Sequence, residues 1–250
     1  MRERPEPGER AIAAVFTPLK SGGLVEAVVS RISRAAETGV LPAGHRLPSE
    51  SELATALGVS AVTIRDALAQ LRERGILRTR RGRTGGSFVA EDVIPSPARA
   101  TMRLRELSLI ELDDLALHYG AIAGSCSALA ARRASDDDIR AIGTLIRPRD
   151  DSAGAWRHSA AEFSLEITAA AHSERLTREM LRLQGEIGGM SLLPGTDPAH
   201  RSETIPLRAA VVDALTSRDP GQAEERMRAL ASCTANWLIR ARTSLGSAPA

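Results

Sequence analysis

Apolar residues recur at intervals of three and four along most of this chain, which is the spacing of an amphipathic helix. The first clear case is the set Val25, Val28, Val29, Ile32 and Ala36. It predicts a helix over residues 24–37, with the glycine at position 39 as its C-terminal stop.

Two shorter helices follow, and each has a start signal of its own. Ser49 and Glu52 have the spacing of a capping box, so a second helix is expected to begin just after Ser49. After the turn at residues 58–60, Ser60 caps a third helix that is expected to run to about Arg74 and to stop at Gly75.

The pattern then changes from helical spacing to two short runs that suit β-strands. Residues 76–80 and 87–90 are the expected strands, and the stretch between them, residues 81–86, is a glycine-rich basic loop. Helix, helix, turn, helix and basic hairpin is the order of a winged helix-turn-helix. We therefore predict this domain over residues 23–92, preceded by a flexible arm over residues 1–22.

The remainder of the chain has helical periodicity throughout. Two prolines predict a linker over residues 93–102, and a helical effector-binding and dimerisation domain is expected over residues 103–245. The expected helices span residues 108–133, 136–146, 155–171, 173–186, 205–217 and 221–242, with a loop at residues 188–202. The predicted fold class is mainly α: an N-terminal winged helix-turn-helix followed by an all-helical bundle.

The composition agrees with two packed helical domains in a chain of 250 residues. Hydrophobic residues make up 43% and aromatic residues 2%, so Leu, Ile, Val and Ala must build the core. No apolar run approaches the length of about 18 residues that a membrane helix needs, and no secretory signal is evident. Cys126 and Cys233 lack metal-type spacing. These features predict a cytoplasmic protein with no membrane partner.

The net charge is only +2, but its distribution is uneven. Six arginines against one acid lie between Arg72 and Arg83. Such a run suits the phosphate backbone of DNA, whereas its commoner meaning is a solvated basic face. Because the run adjoins a predicted helix-turn-helix, double-stranded DNA is the expected partner.

The DNA-reading side chains are expected at the N-terminal turns of the third helix, which can enter the major groove. Arg65 can bind guanine or a phosphate, and the wing can follow the backbone or reach the minor groove. The complete set of predicted DNA contacts is Ser49, Ser51, Ser60, Ala61, Thr63, Arg65, Arg81, Arg83, Thr84 and Gly85.

These motifs together resemble the N-terminal domain of GntR-type bacterial regulators. The resemblance covers about residues 24–90 and rests on the runs GVLPAGHRLPSESELA, LGVS, IRDAL, GIL and GGSFV in that order. It implies that Arg65 is the DNA-contacting arginine of the recognition helix. The family often has Arg where this chain has Ser51 and Ala61, so either the operator differs from the usual one or the wing arginines compensate.

The helical second domain resembles the FadR-like subgroup with its ligand-binding FCD-type domain. The residues that carry this resemblance are Leu129–Arg132, Glu162–Phe163, Asp213–Leu215, Arg218–Pro220 and Ala223–Met227. Many members hold a divalent metal through one Asp and three His, and the matching positions here are Ala160, Ser164, Arg208 and Leu230. Because none of these suits a metal, the resemblance implies that the usual metal site is lost and that no cofactor is bound.

The resemblance also points to effector-binding candidates in the helical domain: His118, Tyr119, Ser164 and Arg208. Arg208 would need an internal acid or an anionic ligand if it pointed into the bundle, although a surface position is the default expectation. His158 and Glu162 are one turn apart, as metal ligands can be, but a solvated helix face explains them better.

The expected function is a ligand-responsive transcription regulator, a repressor that binds an operator as a homodimer and responds to an unidentified small-molecule effector. Two other classes are weighed against it. One is a helical protein-interaction module with weakened DNA binding, which the missing arginines favour. The other is a metal-dependent enzyme, for which the sequence offers neither ligands nor a nucleophile motif.

Overall fold

A computed structural model describes residues 12, 15–16, 24–38, 40–82, 85–90, 93 and 96–246 of the chain. Among the described residues, its N-terminal part contains three helices of defined bounds and a hairpin: α1 Leu24–Thr38, α2 Glu50–Leu57, α3 Ala61–Glu73, β1 Leu77–Arg80 and β2 Gly86–Val89. This is the predicted winged helix-turn-helix order, and the predicted element boundaries are met to within two residues.

The two helix N-caps predicted from the sequence are present in the structure. The Ser49 side chain accepts from the backbone N–H of Glu52, whose carboxylate accepts from the backbone N–H of Ser49 at 2.7 Å. The side chain of Ser60 accepts from the backbone N–H of Thr63. Between the two helices, Gly58 adopts a left-handed conformation with φ of 67°, which a side chain would disfavour. The local sequence therefore sets the turn of the helix-turn-helix.

The wing is an antiparallel two-stranded sheet in which Leu77 pairs with Val89 and Arg80 pairs with Gly86. An isolated bridge from Arg46 to Phe88 extends its edge. Leu77 and Val89 are buried, which anchors the base of the hairpin to the core of the N-terminal domain. This domain, residues 24–90, is called the head below, and the helical domain that follows it is called the bundle. The residues from Arg78 to Gly82 are exposed to solvent.

The second domain consists of seven α-helices and two short 3-10 segments among the described residues. The helices are α4 Pro97–Glu106, α5 Leu109–Arg133, α6 Asp136–Gly143, α7 Ala153–Ala170, α8 Glu174–Ile187, α9 Pro198–Thr216 and α10 Pro220–Gly246. The 3-10 segments are Gly188–Leu192 and Pro194–Thr196. The long helix α5 packs along α10, and α9 covers α10 from another side.

Two segments expected to be irregular are partly helical. The predicted linker at residues 93–102 becomes helix α4 from Pro97, because Ser96 caps it and a proline is well tolerated in the first turn. The predicted loop at residues 188–202 holds the 3-10 segments and the start of α9, where Asp197 caps a helix that begins with Pro198. In both cases prolines that we interpreted as breaks are helix starts.

The predicted N-terminal arm lies almost entirely outside the described residues. Of residues 1–22, only Ile12, Val15 and Phe16 are described, and Val15 and Phe16 are buried in the core. These buried positions contradict a fully flexible arm at residues 15–16, since side chains excluded from solvent are held by their neighbours.

The head and the bundle are in direct contact. Helix α1 packs against α8 and against the 3-10 segment that follows it. At this contact the absence of a side chain on Gly185 matters, because a Cβ there would lie 2.6 Å from Cδ of Arg34. The two domains therefore share a packed surface. A displacement of α8 would move the residues of α1 that contact it.

The cap of the long central helix offers a test of the local rules. Ser108 caps α5 with a full capping box to Glu111. We expect Ser108→Ala to lower the free energy of unfolding by about 1 kcal/mol, because the backbone N–H of Glu111 loses the side-chain oxygen to which it donates. Chemical denaturation measures this loss. Ser202→Ala, an exposed change within α9, serves as the control and should leave the midpoint unchanged; equal effects would contradict the assignment.

Candidate DNA interface and effector cavity

The N-terminal ends of α2 and α3 meet at the surface of the head. The Arg65 side chain is 63% exposed, and its Nε lies 3.4 Å from Oε2 of Glu50 in the first turn of α2. Ser49 and Ser51 are exposed beside Glu50, with their hydroxyls 3.1 Å apart. An exposed ion pair of this kind contributes little to stability, so Arg65 remains available to an external anion.

The other predicted contacts on α3 are also at the surface. Ser60 and Ala61 are exposed and Thr63 is half-buried, with the hydroxyls of Ser60 and Thr63 2.8 Å apart. Val62, which lies between them, is 62% exposed although it is apolar. A helix that leaves small, polar and apolar groups in solvent at its N-terminal turns has a surface suited to base edges and thymine methyl groups.

The wing supplies basic groups next to this surface. Arg81 is exposed, and the guanidinium of Arg80 lies over the ring of Phe88, 4.7 Å from its centroid. At Gly85 a Cβ would lie 2.5 Å from the carbonyl oxygen of Arg80, so only glycine fits the turn without a backbone shift. The predicted contacts Arg83 and Thr84 lie outside the described residues.

Arg46 is a wing residue that the sequence analysis did not single out. Its Nη2 donates to the carbonyl oxygen of Gly85 at 3.0 Å, and the side chain is exposed. It therefore holds the loop of the wing while adding a positive charge to it. Its position within the run GHRLPSE was the only signal available, and the run gave no indication of a contact across 39 residues.

The helical domain encloses a cavity of about 130 Å³ between α5, α7, α8, α9 and α10. A cavity of this volume holds several water molecules or one small organic molecule. Of the predicted effector residues, Tyr119, Ser164 and Arg208 line it.

His118 does not belong to the cavity, which corrects the prediction. It is 44% exposed, and its Nε2 lies 3.2 Å from Oε1 of Glu179 on α8. Tyr119, the next residue on α5, is among the residues that line the cavity. The structure places Tyr119 inward and His118 outward.

Arg208 is buried, contrary to the surface position expected by default. It is 4% exposed, and its Nη1 donates to the carbonyl oxygen of Leu145 at 3.2 Å and to Oγ of Ser159 at 2.8 Å. The rings of Trp156 and Phe163 lie 5.7 and 5.6 Å from the guanidinium carbon. Burial lowers the pKa of Arg208 to about 10, which leaves the group protonated at neutral pH.

The cavity wall is positively charged. Among the described residues that line it, the charged side chains are Arg157, Arg201 and Arg208, with no Asp or Glu. Burial likewise lowers the pKa of Arg157 to about 10. The hydrogen-bond partners of Arg208 among the described residues are neutral, so an anion that enters this cavity would meet a buried cation whose charge they do not neutralise.

Neutral hydrogen-bonding groups lie on the same wall. The hydroxyl of Tyr119 donates to Oγ of Ser164 at 2.8 Å, and Nε2 of Gln184 donates to the Tyr119 hydroxyl at 3.4 Å. These groups come from α5, α7 and α8. Trp156, Arg157 and Gln184 were not predicted from the sequence, since nothing in helical spacing alone shows which of several inward positions faces a void.

The four positions that correspond to the subgroup's metal ligands converge. Ala160, Ser164, Arg208 and Leu230 all line the cavity. Ala160 and Leu230 carry no donor atom, the Ser164 hydroxyl is engaged with Tyr119, and Arg208 is a cation that repels a metal ion. These residues do not fit a divalent metal.

The pair His158 and Glu162 is not on a solvated face. Their side chains are 28% and 13% exposed and approach to 3.2 Å, and Glu166 one turn further is buried. The interpretation of this face as solvent-exposed was therefore wrong. The face lies between helices of the folded chain, where the packing of the head against the bundle covers it.

Comparison with known proteins agrees with this architecture. Residues 24–89 match the family of bacterial regulatory proteins named gntR, and residues 114–232 match the FCD domain. A provisionally named regulatory protein of the L-lactate dehydrogenase operon of Escherichia coli strain K12 is 30% identical over 222 residues, which cover 82% of this chain and 83% of the relative. The chain belongs to the GntR family.

Two further matches differ in sequence identity and in the share of each chain that they cover. The provisionally named HTH-type transcriptional regulator RmpR of Mycobacterium gastri is 38% identical over 165 residues, which cover 64% of this chain and 60% of RmpR. The match thus spans about three fifths of the length of that relative. The solved structure of McbR/YncC from E. coli superposes with a TM-score of 0.52 at 18% identity, covering 88% of this chain and 99% of that one, and shows a shared fold.

These findings confirm the resemblance and the fold class derived from the sequence. The GntR head and the FCD domain occur in the predicted order. Among the described residues, no helix combines the length and the apolar composition that crossing a membrane requires.

Proposed function

We propose that this GntR-family protein is a repressor that binds a double-stranded DNA operator as a homodimer and responds to a small anionic effector. It is not an enzyme in this proposal, and the effector is bound without a divalent metal at the four subgroup positions. The observation that carries the proposal is the buried Arg208, which faces a cavity whose wall has cations and no carboxylate.

The DNA-binding part rests on the exposed surface where α2 and α3 begin. Arg65, Ser49 and Ser51 lie together there, and the helix N-termini add the partial positive charge that favours phosphate. Arg46 and Arg81 on the wing extend the positive surface to one side. Arg46 and Arg81 thus supply positive charge in place of the arginines that the family often has at positions 51 and 61.

The effector part rests on the chemistry of the cavity. Arg208 offers a guanidinium to a carboxylate or phosphate, and Tyr119, Ser164 and Gln184 offer neutral groups to the remainder of a small molecule. The rings of Trp156 and Phe163 supply apolar walls. An effector with one anionic end and a short polar or apolar body matches this arrangement.

Coupling between the two parts rests on the segment from α8 to the first 3-10 turn. Gln184, Ile187 and Met190 line the cavity, and the same segment packs against α1 of the head. An effector that favours one arrangement of this segment would shift the position of the head, and hence the separation of two heads in a dimer.

Homodimerisation is supported by hydrophobic residues left in solvent on α4 and α5. Ile110 and Leu117 are 82% and 66% exposed and lie seven residues apart on one face of α5, and Met102 on α4 is 63% exposed. Such a set of exposed apolar groups is typical of a protein interface. Two heads would then read two half-sites of a palindrome.

DNA binding by Arg65 can be tested directly. Fragments selected by the full chain from its own genome would be measured by fluorescence anisotropy across a salt series. We expect tight binding that weakens steeply with salt, and a loss of about 5- to 150-fold in Arg65→Ala, since a base-reading arginine is worth about 1–3 kcal/mol.

The matched control is Arg103→Ala, which removes an exposed arginine that is paired with Glu106 on α4 of the helical domain. Its binding should equal that of the wild type. The proposal would be refuted if no fragment bound more tightly than unrelated DNA, or if Arg65→Ala and Arg103→Ala behaved alike.

A further inference from the structure

Three potential metal ligands of different chemistry meet where α9 begins and α10 passes beside it. His200 and Glu203 lie on the first turns of α9, and Cys233 lies on α10. One ligand atom from each of the three residues lies within 4.8 Å of the others. Sγ of Cys233 is 3.9 Å from Nδ1 of His200.

The distance between the Cys233 and His200 atoms is close to that of a tetrahedral site. Bonds of 2.3 Å to sulfur and 2.0–2.1 Å to nitrogen at a tetrahedral angle place the two ligand atoms about 3.6 Å apart. An inward movement of a few tenths of an ångström would therefore bring the Cys233 and His200 atoms into position. His200 and Glu203 are three residues apart, so they share one face of the helix.

The donor set also selects the kind of metal. A thiolate, an imidazole and a carboxylate are the three ligand types that Zn²⁺ accepts, and three protein ligands leave a fourth position for water or for another molecule. Mg²⁺ and Ca²⁺ prefer oxygen ligands and would reject the sulfur. The set is therefore suited to a borderline-soft divalent cation.

The surroundings allow such an ion to enter and to be retained. Glu203 is exposed, Cys233 is half-buried, and His200 is buried and lines the effector cavity. Without a metal, burial and the nearby Glu203 carboxylate raise the pKa of the Cys233 thiol to about 11. A divalent cation would offset both effects, because it replaces the thiol proton and attracts the carboxylate.

We propose that His200, Glu203 and Cys233 form a three-ligand site for a Zn²⁺-like cation that joins α9 to α10 at the wall of the cavity. None of its three residues is one of the four subgroup positions, although Cys233 lies one helical turn beyond Leu230 on α10. His200 and Arg208 are eight residues apart on α9, which corresponds to a rise of about 12 Å along the helix. The proposal does not depend on DNA binding or on the anionic effector.

Cobalt provides the probe, because Co²⁺ occupies zinc sites and shows a charge-transfer absorption when a thiolate binds it. Titration of the full-length, reduced protein with Co²⁺ should produce this band with a stoichiometry of one per chain. Zn²⁺ should then displace Co²⁺ and abolish the band. Cys233→Ser should lose the band.

Cys126→Ser is the matched control, because it removes the only other cysteine, which is buried on α5. It should retain the band. Should Cys233→Ser fail to fold, Glu203→Gln provides a second test, because it alters an exposed residue. It should weaken Co²⁺ binding at least about ten-fold, since even the loss of a residue that only hydrogen-bonds to a metal ligand has an effect of this size. The absence of a thiolate band in the wild type, or its persistence in Cys233→Ser, would overturn the proposal.

Discussion

Arg208→Met is expected to weaken the binding of anionic effectors by about 30-fold or more. Removing one partner of a buried charge pair costs 2–5 kcal/mol or more, because the anion is left desolvated without its counter-ion. Arg208 is 4% exposed, and its hydrogen-bond partners among the described residues are neutral. A thermal-shift screen of the full chain with small carboxylates and phosphate esters would identify the anions that bind the wild type, and calorimetry would compare the variant.

The neutral amide of each carboxylate that binds is the matched ligand control. It should bind the wild type weakly, because it lacks the charge that Arg208 would neutralise. Without ligand, Arg208→Met should change the free energy of unfolding by no more than about 2 kcal/mol, since the relief of a buried charge offsets the lost hydrogen bonds. Equal binding of an anion to variant and wild type would contradict the assigned role.

The second large effect is expected in the core of the head. Leu68 on α3 is 2% exposed and packs with Ile64 and Leu71 on the inner face of that helix. Leu68→Ala should lower the free energy of unfolding of the head by about 2–5 kcal/mol, through lost transfer energy and the cavity left behind. Hydrogen exchange resolved by segment would measure this, because it reports the head separately from the bundle.

Val62→Ala is the control for that change on the same helix. Val62 is 62% exposed, so its truncation should alter the stability of the head by less than about 0.5 kcal/mol. The helical domain should keep its protection in both variants. A comparable loss of stability in Val62→Ala, or the absence of one in Leu68→Ala, would show that the inner and outer faces of α3 are assigned wrongly.

The helices and the turn of the head were predicted correctly because the residues that define them act over a short stretch of the chain. Ser49, Ser60 and Gly58 each act on the backbone within four residues, through caps and a left-handed turn. Two helix starts were missed, at Pro97 and at Pro198, and both were also locally encoded. In those cases a proline has two opposite meanings, a helix start or a break, and only the preceding cap residues Ser96 and Asp197 distinguish them.

The candidate sites depended on more than local pattern. The resemblance to GntR-type regulators located Ser164 and Arg208, and both line the cavity. It did not show that Arg208 is buried, that His118 points outward to Glu179, or that Arg46 holds the wing. Each of these depends on which turn of one element lies against which turn of another.

The sequence by itself determined the order of elements, the winged helix-turn-helix and the family. Helical periodicity and caps are short-range properties, so a linear pattern contains them. The tertiary structure alone decided where a cavity opens, that its wall carries arginines without acids, and that Cys233 meets His200 across 33 residues. Those features arise from the packing of α5, α7, α9 and α10, and packing depends on side-chain shape at contacts between segments that are distant in the chain.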